Sequence, residues 1–346
     1  MSDPQLRIDQ LTGARVLLAP GRSKRPEALA PDTGHEQGAE NCPFCEGRED
    51  RTPPEIAADR PGGGGADTPG WRVRVVPNLY PALGGGEATS APASEGASAS
   101  SADPLRASTR RGEANLFASR PATGAHEVIV HSPRHETSMA GLDEEAITAA
   151  VAMWRERMRA HRDAAYTQLI VNEGRIAGAS LEHTHAQLYA LPFVPNAVAR
   201  ERERSNAYRE RTTGGDLLSD ILVEEIRRKE RLVAVDDEAA LICPWASRSP
   251  FELRVIPRRA EARFEEGEGG AEMIRTALRV LAARFERVPP LNLWVRTAPA
   301  DVEAFHWHVD IAPRLTVKAG FELGTGVDIN VYAPEQAAAD LREVLG

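Results

Sequence analysis

Apolar and polar positions form two β-type runs that resemble each other in the two halves of the chain. The run from His126 to His135 is rich in β-branched residues and closes on Ser-Pro-Arg, and the run from Phe251 to Ala260 closes on Ile-Pro-Arg. Short apolar runs that end at a proline predict β-strands. Apolar residues then recur at helical spacing over about residues 143–162 and 271–285, which predicts one helix after each strand.

Each predicted helix is followed by another predicted strand and, after a polar turn, by a His-X-His sequence. The first His-X-His begins at His183, 50 positions after Pro133, and the second begins at His306, 49 positions after Pro257. Agreement in both order and spacing indicates an internal repeat. We therefore expect an α+β fold of two repeated units, each a curved antiparallel sheet with a flanking helix.

The repeat divides the chain into residues 1–195 and residues 196–346, and a low-complexity segment interrupts the first unit. Residues 83–112 consist largely of Gly, Ala and Ser. Such a composition cannot bury enough apolar surface to offset the entropy lost on ordering. We expect this segment to be a disordered surface insertion that carries no chemistry.

Composition and charge exclude several classes of protein. The 346 residues are 42% hydrophobic, which suffices for one large or two modest packed domains. A formal net charge of -9 provides no broad basic surface, so tight non-specific binding to nucleic acid is not expected. No apolar run is long enough for a membrane span, and three cysteines are too few for a disulfide framework. With no signal-peptide pattern at the first residues, we expect a soluble cytoplasmic protein.

His183, His185 and Gln187 alternate on a predicted strand, so their side chains project from one face. A neutral imidazole can attack an α-phosphorus and form a covalent intermediate, which splits one transfer into two displacements. The Gln187 amide could donate a hydrogen bond to a phosphate oxygen beside it. The alternative is that these polar residues mark only the solvent face of an edge strand. Two histidines and an amide in a single alternation favour the catalytic interpretation.

A glycine-containing turn precedes the histidine pair. Residues 172–180 read Asn-Glu-Gly-Arg-Ile-Ala-Gly-Ala-Ser, and their glycines allow backbone amides to approach a phosphate closely. The Ser180 hydroxyl is a further donor. Many such turns are plain hairpins, but the position of this one directly before the histidines favours a binding role.

Cys42 and Cys45 have the C-x2-C spacing with which a tight turn places two thiolates on one zinc ion. A four-coordinate site needs two more ligands. Cys243 has no nearby cysteine with which to complete a second pair, so histidines must supply them. A redox C-x-x-C is the rival, but it normally opens a helix after a strand, and no such context is visible.

On these motifs, and over nearly its whole length, the chain resembles the galactose-1-phosphate uridylyltransferase family of the histidine-triad superfamily. The resemblance makes the two units histidine-triad-like. It implies a zinc site formed by Cys42, Cys45, His135 and His183. It also implies that His185 is the nucleophile that becomes uridylylated and that Gln187 contacts the transferred phosphate.

The same resemblance implies contacts to a nucleotide sugar and a sugar 1-phosphate. Contacts to the nucleotide are implied at Arg22, Arg25, Asn78, Asn172, Gly178 and Ser180. Contacts to the sugar phosphate are implied at Lys318, Phe321 and Glu322, in a segment that in the family often crosses a dimer interface. The resemblance therefore implies a homodimer.

The chain departs from the best-known family members at two places. Those members have Pro between the paired histidines, where this chain has Thr184. Some members also bind a second metal, Fe or Zn, through a glutamate and three histidines. Glu201, His306 and His308 match three of these ligands, whereas Arg296 occupies the fourth place. The alternative is that the two histidines are structural residues of the repeat.

The resemblance implies ping-pong exchange of UMP between UDP-glucose and galactose 1-phosphate. Four protein ligands would leave the zinc no open position, so its role would be structural. An ADP-sugar or dinucleotide phosphorylase would use the same histidine chemistry, with phosphate as the acceptor. A protein of another class, a zinc-stabilised nucleotide-binding protein without catalysis, would bind nucleotide and form no covalent adduct.

Overall fold

The computed structural model describes residues 4–20, 38–85 and 121–345. Strands and helices within these ranges are numbered in chain order. The strands are β1 (Gln5–Ile8), β2 (Arg15–Leu18), β3 (Ala57–Asp59), β4 (Val73–Pro77), β5 (Gly84–Gly85), β6 (Thr123–Val130), β7 (Tyr166–Glu173), β8 (His185–Leu191), β9 (Leu232–Val235), β10 (Ala239–Ile242), β11 (Leu253–Pro257), β12 (Leu291–Arg296), β13 (His308–Pro313) and β14 (Asp328–Asn330). The α-helices are α1 (Glu144–Ala160), α2 (Asn196–Arg211), α3 (Leu217–Arg228), α4 (Ala271–Arg284), α5 (Gly320–Thr325) and α6 (Pro334–Glu343).

One large sheet runs through both halves of the chain. Its strands lie in the order β3-β4-β6-β8-β7-β12-β13-β11-β10-β9, and all of these neighbours pair antiparallel. The short strand β5 pairs parallel with β6 beside this path. A separate small sheet has the order β1-β2-β14. The centre of the large sheet is the pairing of β7 with β12, where the two halves of the chain meet.

Helices α1 and α4 cover one face of the large sheet. Helix α1 begins where the Asp143 side chain accepts a hydrogen bond from the Ala146 N–H at 2.8 Å, and acidic residues occupy its first turn and basic residues its last. Trp154 on α1 and Leu278 on α4 belong to the same buried cluster as Leu169 and Leu293 from the central strands. The main core therefore lies between these two helices and the sheet.

The opposite face of the sheet carries the polar residues that the sequence singled out. Strand β8 shows this separation, because Ala186 and Leu188 belong to the core beneath the helices. His185 and Gln187 alternate with them and so project from the other face. The core fixes the register of β8, since a shift of one residue would exchange the two faces.

The mixed helix and sheet architecture and its antiparallel pairing confirm the coarse fold that the sequence predicts. The predicted helices, residues 143–162 and 271–285, correspond to Glu144–Ala160 and Ala271–Arg284. Outward from the centre, β7, β8, β6 and β4 on one side stand in the places of β12, β13, β11 and β10 on the other. The sheet is continuous, so the division into two repeated units stays a prediction.

Two further expectations concern the insertion and the membrane. Of the predicted insertion at residues 83–112, only residues 83–85 are among those described, and the rest lies outside them. Across the described ranges, each helix is too short or too polar to cross a lipid bilayer.

Truncating a side chain in the main core should destabilise the protein. Leu169 is 0% exposed beneath the helices, so Leu169→Ala is expected to lower the free energy of unfolding by about 2–5 kcal/mol. Leu6→Ala on the small sheet is the matched control, because Leu6 is 58% exposed and its loss should change stability by only about 0.5 kcal/mol. Urea unfolding followed by circular dichroism measures both, and equal effects would contradict the position of this core.

Candidate active site

Four cysteine and histidine side chains converge beside the start of β8. Cys42 follows the short 3₁₀ turn Ala39–Asn41, Cys45 lies three residues further on, His135 lies in the loop after β6, and His183 directly precedes β8. One ligand atom from each of the four lies within 4.8 Å of the others. The structure thus brings together the four residues that the resemblance implies as metal ligands.

The distances within this cluster fit a tetrahedral metal site. His183 Nδ1 lies 3.4 Å from Cys42 Sγ and 3.7 Å from Cys45 Sγ, and His135 Nδ1 lies 3.5 Å from Cys45 Sγ. Metal–ligand bonds of about 2.0–2.3 Å in tetrahedral geometry place neighbouring donor atoms roughly 3.5 Å apart. A single ion at the centre would therefore reach all four atoms.

Hydrogen bonds around the cluster direct its potential metal-ligand atoms toward one another. His183 Nε2–H donates to the carbonyl oxygen of Ser132 at 2.8 Å, which leaves the lone pair of Nδ1 facing the sulfurs. The N–H of Phe44 donates to Cys42 Sγ at 3.4 Å. Burial, and then the neighbouring Cys42 sulfur, raise the pKa of the Cys45 thiol to about 11. A divalent cation would oppose both effects, so the donor set fits a metal ion.

His185 presents one ring nitrogen as a lone pair. Its Nδ1–H donates to the carbonyl oxygen of His183 at 2.7 Å, so the neutral ring carries no proton on Nε2. Burial lowers the pKa of His185, although the bond to His183 acts in the opposite direction. The rings of Phe44 and His185 pack edge to face, with centroids 5.2 Å apart. The ring is thus held neutral and oriented, as nucleophilic attack requires.

Thr184, between the two histidines, projects from the other face into a buried chain of hydrogen bonds. Its hydroxyl donates to Glu173 Oε1 at 3.1 Å and accepts from His131 Nδ1–H at 3.1 Å. Trp154 Nε1–H donates to His131 Nε2 at 3.0 Å, which fixes that tautomer. The Thr184 N–H also donates to Glu136 O at 2.7 Å, a bond that proline could not make. Thr184, which replaces the family's proline, therefore makes hydrogen bonds to His131, Glu173 and Glu136.

Asn172 and the glycine turn after it are bound to the second half of the chain. The side-chain amide of Asn292, on β12, donates to Asn172 Oδ1 and to the carbonyl oxygen of Ala177, both at 2.7 Å. Gly178 has φ +91°, a left-handed conformation that favours glycine. Gly178 and Ser180 are exposed, so the turn offers their backbone and hydroxyl groups to solvent.

The other residues implied by the resemblance have different outcomes. Arg22 and Arg25 lie outside the described residues. Lys318 Nζ lies 2.6 Å from Asp328 Oδ1, and Glu322 Oε2 accepts from the Ala319 N–H at 3.0 Å, so the polar partners of this segment are local. Neither of these two interactions joins the segment to His183 or His185.

Glu201, His306 and His308 do not form a second ligand set. Within the described part of the chain, the Cys42 cluster is the one group of three or more such residues with converging ligand atoms. His306 Nε2–H donates to Pro257 O at 2.9 Å and its Nδ1 pairs with Asp216 at 3.1 Å. Both of its nitrogens are thereby occupied, so the histidine fits the structural role that was the alternative.

A guanidinium lies where the fourth ligand of that second metal would be. Arg296 Nε is 3.9 Å from Glu201 Oε2, and His308 Nδ1 is 3.7 Å from Glu201 Oε1. Glu201 Oε2 has no hydrogen-bond partner among the described residues. Burial raises the pKa of Glu201, while His308 and Arg296 act against that shift. The residues present supply a fixed positive charge here and do not fit a second metal.

Three residues of this site were missed by reasoning from the sequence. His126 on β6 and Tyr189 on β8 both contact Gln187, at 2.9 Å and 3.0 Å, and Asn292 contacts Asn172. Tyr189 continues the alternation of His185 and Gln187, so the period of the strand could have identified it. His126 and Asn292 reach the site only through pairing between strands distant in sequence.

The chain is similar in sequence to enzymes that act on sugar phosphates and nucleotide sugars. Residues 96–195 match the family model for the N-terminal domain of galactose-1-phosphate uridyl transferase. An ADP-glucose phosphorylase of Arabidopsis thaliana is 29% identical over 361 residues, covering 99% of this chain and 93% of that protein. A galactose-1-phosphate uridylyltransferase of Haemophilus influenzae is 30% identical over 244 residues, covering 66% of this chain and 69% of that protein.

A solved structure extends the likeness to the whole fold. The crystal structure of an ADP-glucose phosphorylase from Arabidopsis thaliana with bound ADP-glucose superposes with a TM-score of 0.76 at 27% identity, and the match covers 99% of both chains. These likenesses, together with the histidine site, define a protein of the nucleotidyl-transferring class. The chain belongs to the galactose-1-phosphate uridylyltransferase family.

Removing the Thr184 hydroxyl should destabilise the strand that carries the site. Thr184→Val keeps the shape but leaves His131 Nδ1–H without its acceptor and Glu173 with one donor fewer, so we expect a loss of about 1–3 kcal/mol in the free energy of unfolding. Thr212→Val is the control, because the exposed Thr212 hydroxyl donates to Tyr208 O near the end of a surface helix. Urea unfolding of both variants measures the difference, and wild-type stability in Thr184→Val would contradict the importance of the buried chain.

Proposed function

We propose that this chain transfers a nucleoside monophosphate from a nucleotide sugar to an acceptor phosphate through a covalent nucleotidyl-histidine at His185. The observation that carries the proposal is the bond from His185 Nδ1–H to the carbonyl oxygen of His183. It leaves Nε2 as the nucleophilic nitrogen of a neutral ring. Membership of the family and the likeness to nucleotide-sugar enzymes support the same chemistry.

The reaction comprises two displacements at the α-phosphorus. In the first, the lone pair of His185 Nε2 forms a P–N bond while the P–O bond to the departing sugar 1-phosphate breaks, and the leaving oxygen takes the electron pair. The ring becomes cationic, and its Nδ1–H bond to the His183 carbonyl becomes charge-assisted. In the second, a phosphate oxygen of the acceptor forms a P–O bond, the P–N bond breaks, and the neutral ring is regenerated.

Three amide side chains near the site offer donors to the phosphates. The oxygen of each accepts a bond from the protein: Asn78 Oδ1 from the Tyr80 N–H, Asn172 Oδ1 from Asn292, and Gln187 Oε1 from His126 and Tyr189. Each NH₂ group is thereby left as a donor, which suits an anion. Together with the Ser180 hydroxyl and the Gly178 backbone, these amides are our proposed nucleotide contacts.

We propose that the Cys42 cluster holds one zinc ion. The ion would be bound by Cys42, Cys45, His135 and His183, and its chemistry would be structural, since four protein ligands complete its coordination. Its binding would tie the loop of Cys42 to β6 and β8. The bond from His183 to Ser132 orients the ligand that immediately precedes the nucleophile strand.

The first candidate for the substrate pair is UDP-glucose and galactose 1-phosphate, as in the uridylyltransferases of the family. The second is ADP-glucose with phosphate as the acceptor. The likeness to the Arabidopsis ADP-glucose phosphorylase over 99% of this chain favours that second pair. Both use the same displacement at His185, so the site chemistry is common to the two.

A homodimer of two-unit chains completes the proposal. In the segment with Lys318, Phe321 and Glu322, Glu322 is half-buried and the other two residues are exposed. Phe321 is 44% and Leu323 75% accessible, which supports a role at a surface shared with a second copy. The mirrored order of strands about the β7–β12 pairing supports units at residues 1–195 and 196–346.

The purified protein is expected to contain about one tightly held zinc per chain. Cys42→Ser and His135→Ala should lose the ion and unfold at lower temperature, because each removes one of four ligands that join separate segments. His306→Ala should keep the zinc, since both nitrogens of His306 bond to protein groups. Elemental analysis and thermal unfolding measure these outcomes. Full zinc occupancy in Cys42→Ser would refute the assignment.

Incubation with nucleotide sugar in the absence of acceptor should label His185. We expect stoichiometric release of glucose 1-phosphate and one acid-labile nucleotidyl group on His185, located by mass spectrometry. His185→Ala should abolish exchange. Gln187→Ala should retain the adduct but slow its formation by roughly 10²–10³-fold, as the loss of one preorganised donor does elsewhere. An adduct on another residue would refute the mechanism.

The choice of nucleotide separates the candidate functions. Labelling by UDP-glucose and discharge by galactose 1-phosphate would establish uridylyl transfer. Labelling by ADP-glucose alone, with discharge by phosphate, would establish the phosphorylase. Tight binding of UMP or AMP without any adduct would indicate a zinc-stabilised nucleotide-binding protein instead.

A further inference from the structure

Two neighbouring donors fix the orientation of the Gln187 amide. His126 Nε2 lies 2.9 Å from Gln187 Oε1, and the Tyr189 hydroxyl donates to the same oxygen at 3.0 Å. A carbonyl oxygen has two lone pairs, so the two donors use its full capacity. The NH₂ group at the other end of the amide is directed away from them.

The backbone of Ala82 decides which nitrogen of His126 carries the proton. The Ala82 N–H donates to His126 Nδ1 at 3.2 Å, so the proton of the neutral ring is on Nε2 and points at Gln187. Asn78 Nδ2 is 3.1 Å from the same Nε2, but both atoms carry hydrogens and cannot bond to each other. Burial lowers the pKa of His126, which keeps the ring in this neutral form.

Stacking and strand pairing hold the two donors in place. His126 and Tyr189 are directly opposite each other in the register of β6 and β8. Their rings stack with centroids 4.0 Å apart and an interplanar angle of 25°. His126 is 8% exposed, and its carbonyl oxygen accepts from the Asn78 N–H at 2.9 Å. Neither ring can turn away without breaking this packing.

The orientation of the amide matters because its two ends have opposite polarity. An amide turned by 180° would direct its carbonyl oxygen at a phosphoryl oxygen, and the two would repel. Without fixed partners, both orientations are accessible to a glutamine side chain. In this chain the turned amide would also direct its NH₂ group at the N–H of His126 Nε2, which has no lone pair to accept it, and would lose the bond that the Tyr189 hydroxyl donates to the amide oxygen.

We propose that His126 and Tyr189 are positioning residues that hold the NH₂ group of Gln187 toward the transferred phosphoryl group. The inference rests on the proposed function, because it assigns these residues to the same displacement at His185. They act through Gln187 and do not themselves touch the reacting atoms. Their effect on the reaction should therefore depend on the presence of Gln187.

A double-mutant cycle tests this dependence. Tyr189→Phe removes one donor and keeps the stacked ring, and His126→Phe removes the other donor and keeps an aromatic ring opposite Tyr189. Each is made in the wild-type chain and in Gln187→Ala. The single-turnover rate of glucose 1-phosphate release is measured with UDP-glucose and with ADP-glucose. The affinity for UMP and AMP is measured by calorimetry.

In the wild-type background, each variant is expected to slow release or weaken nucleotide binding by about 5- to 10-fold, the usual scale for one lost hydrogen bond. In the Gln187→Ala background, the same changes should have less than about a twofold effect. Tyr208→Phe is the matched control. The Tyr208 hydroxyl donates to Asp220 at an exposed position, so removing this hydroxyl should leave the rate of release unchanged. Circular dichroism and urea unfolding verify that each variant is folded.

The outcomes separate the alternatives. Equal losses with and without Gln187 would show that the two residues are merely structural, and no loss in the wild-type background would overturn the proposal directly. If His126→Phe does not fold, Tyr189→Phe decides the question alone. If the wild-type protein forms no adduct, the proposed function fails, and the UMP and AMP affinities still test whether His126 and Tyr189 act through Gln187.

Discussion

The site depends on the alternation of three consecutive residues, His183, Thr184 and His185, where the chain enters β8. His183 and His185 project from one face, toward the cysteines and the open side of the sheet, and Thr184 projects from the other, toward Glu173. Each residue also donates a hydrogen bond to a backbone carbonyl. His183 donates to Ser132 O and Thr184 donates to Glu136 O, both in the loop after β6. His185 donates to His183 O, two residues before it. One short segment thereby supplies one of the proposed zinc ligands, an anchor to the core and the proposed nucleophile. A change in its register would remove all three together.

The sequence predicts those features of the structure that depend on local spacing. The helices after β6 and β11, the C-x2-C pair and the alternation of His185 with Gln187 are all visible within short windows. Assigning His135 to the cluster required the family resemblance, and the structure places it 3.5 Å from Cys45. His126 beside Gln187 and Asn292 beside Asn172 were missed, because strand pairing brings them from 61 and 120 positions away in the chain. Tyr189 lies only two positions from Gln187 and continues its alternation, so it was within reach of the sequence pattern.

The second His-X-His shows why matching residues to a family pattern does not by itself establish a site. His306 donates to Pro257 O at 2.9 Å, as His183 does to Ser132 O at 2.8 Å, so the backbone arrangement is alike. Asp310, however, stands where the first half has Gln187, and it forms a buried ion pair with Arg254 at 2.6 Å. Burial alone would raise the pKa of Asp310, but Arg254 beside it holds that pKa well below its usual range. A fixed carboxylate would repel a phosphate. The second His-X-His is therefore better suited to a structural role than to binding a phosphate as proposed for Gln187.

The pairing of β7 with β12 has a consequence for how the molecule can be divided. Asn292, on β12, holds the loop that follows β7, and β12 covers backbone groups of β7 that would otherwise be unpaired. In a fragment ending near residue 195, β7 would be an unpaired edge strand whose N–H and C=O groups could pair with other chains. A truncated chain that ends there would therefore be prone to aggregate. The second half of the chain thus keeps the strands around His185 fully paired.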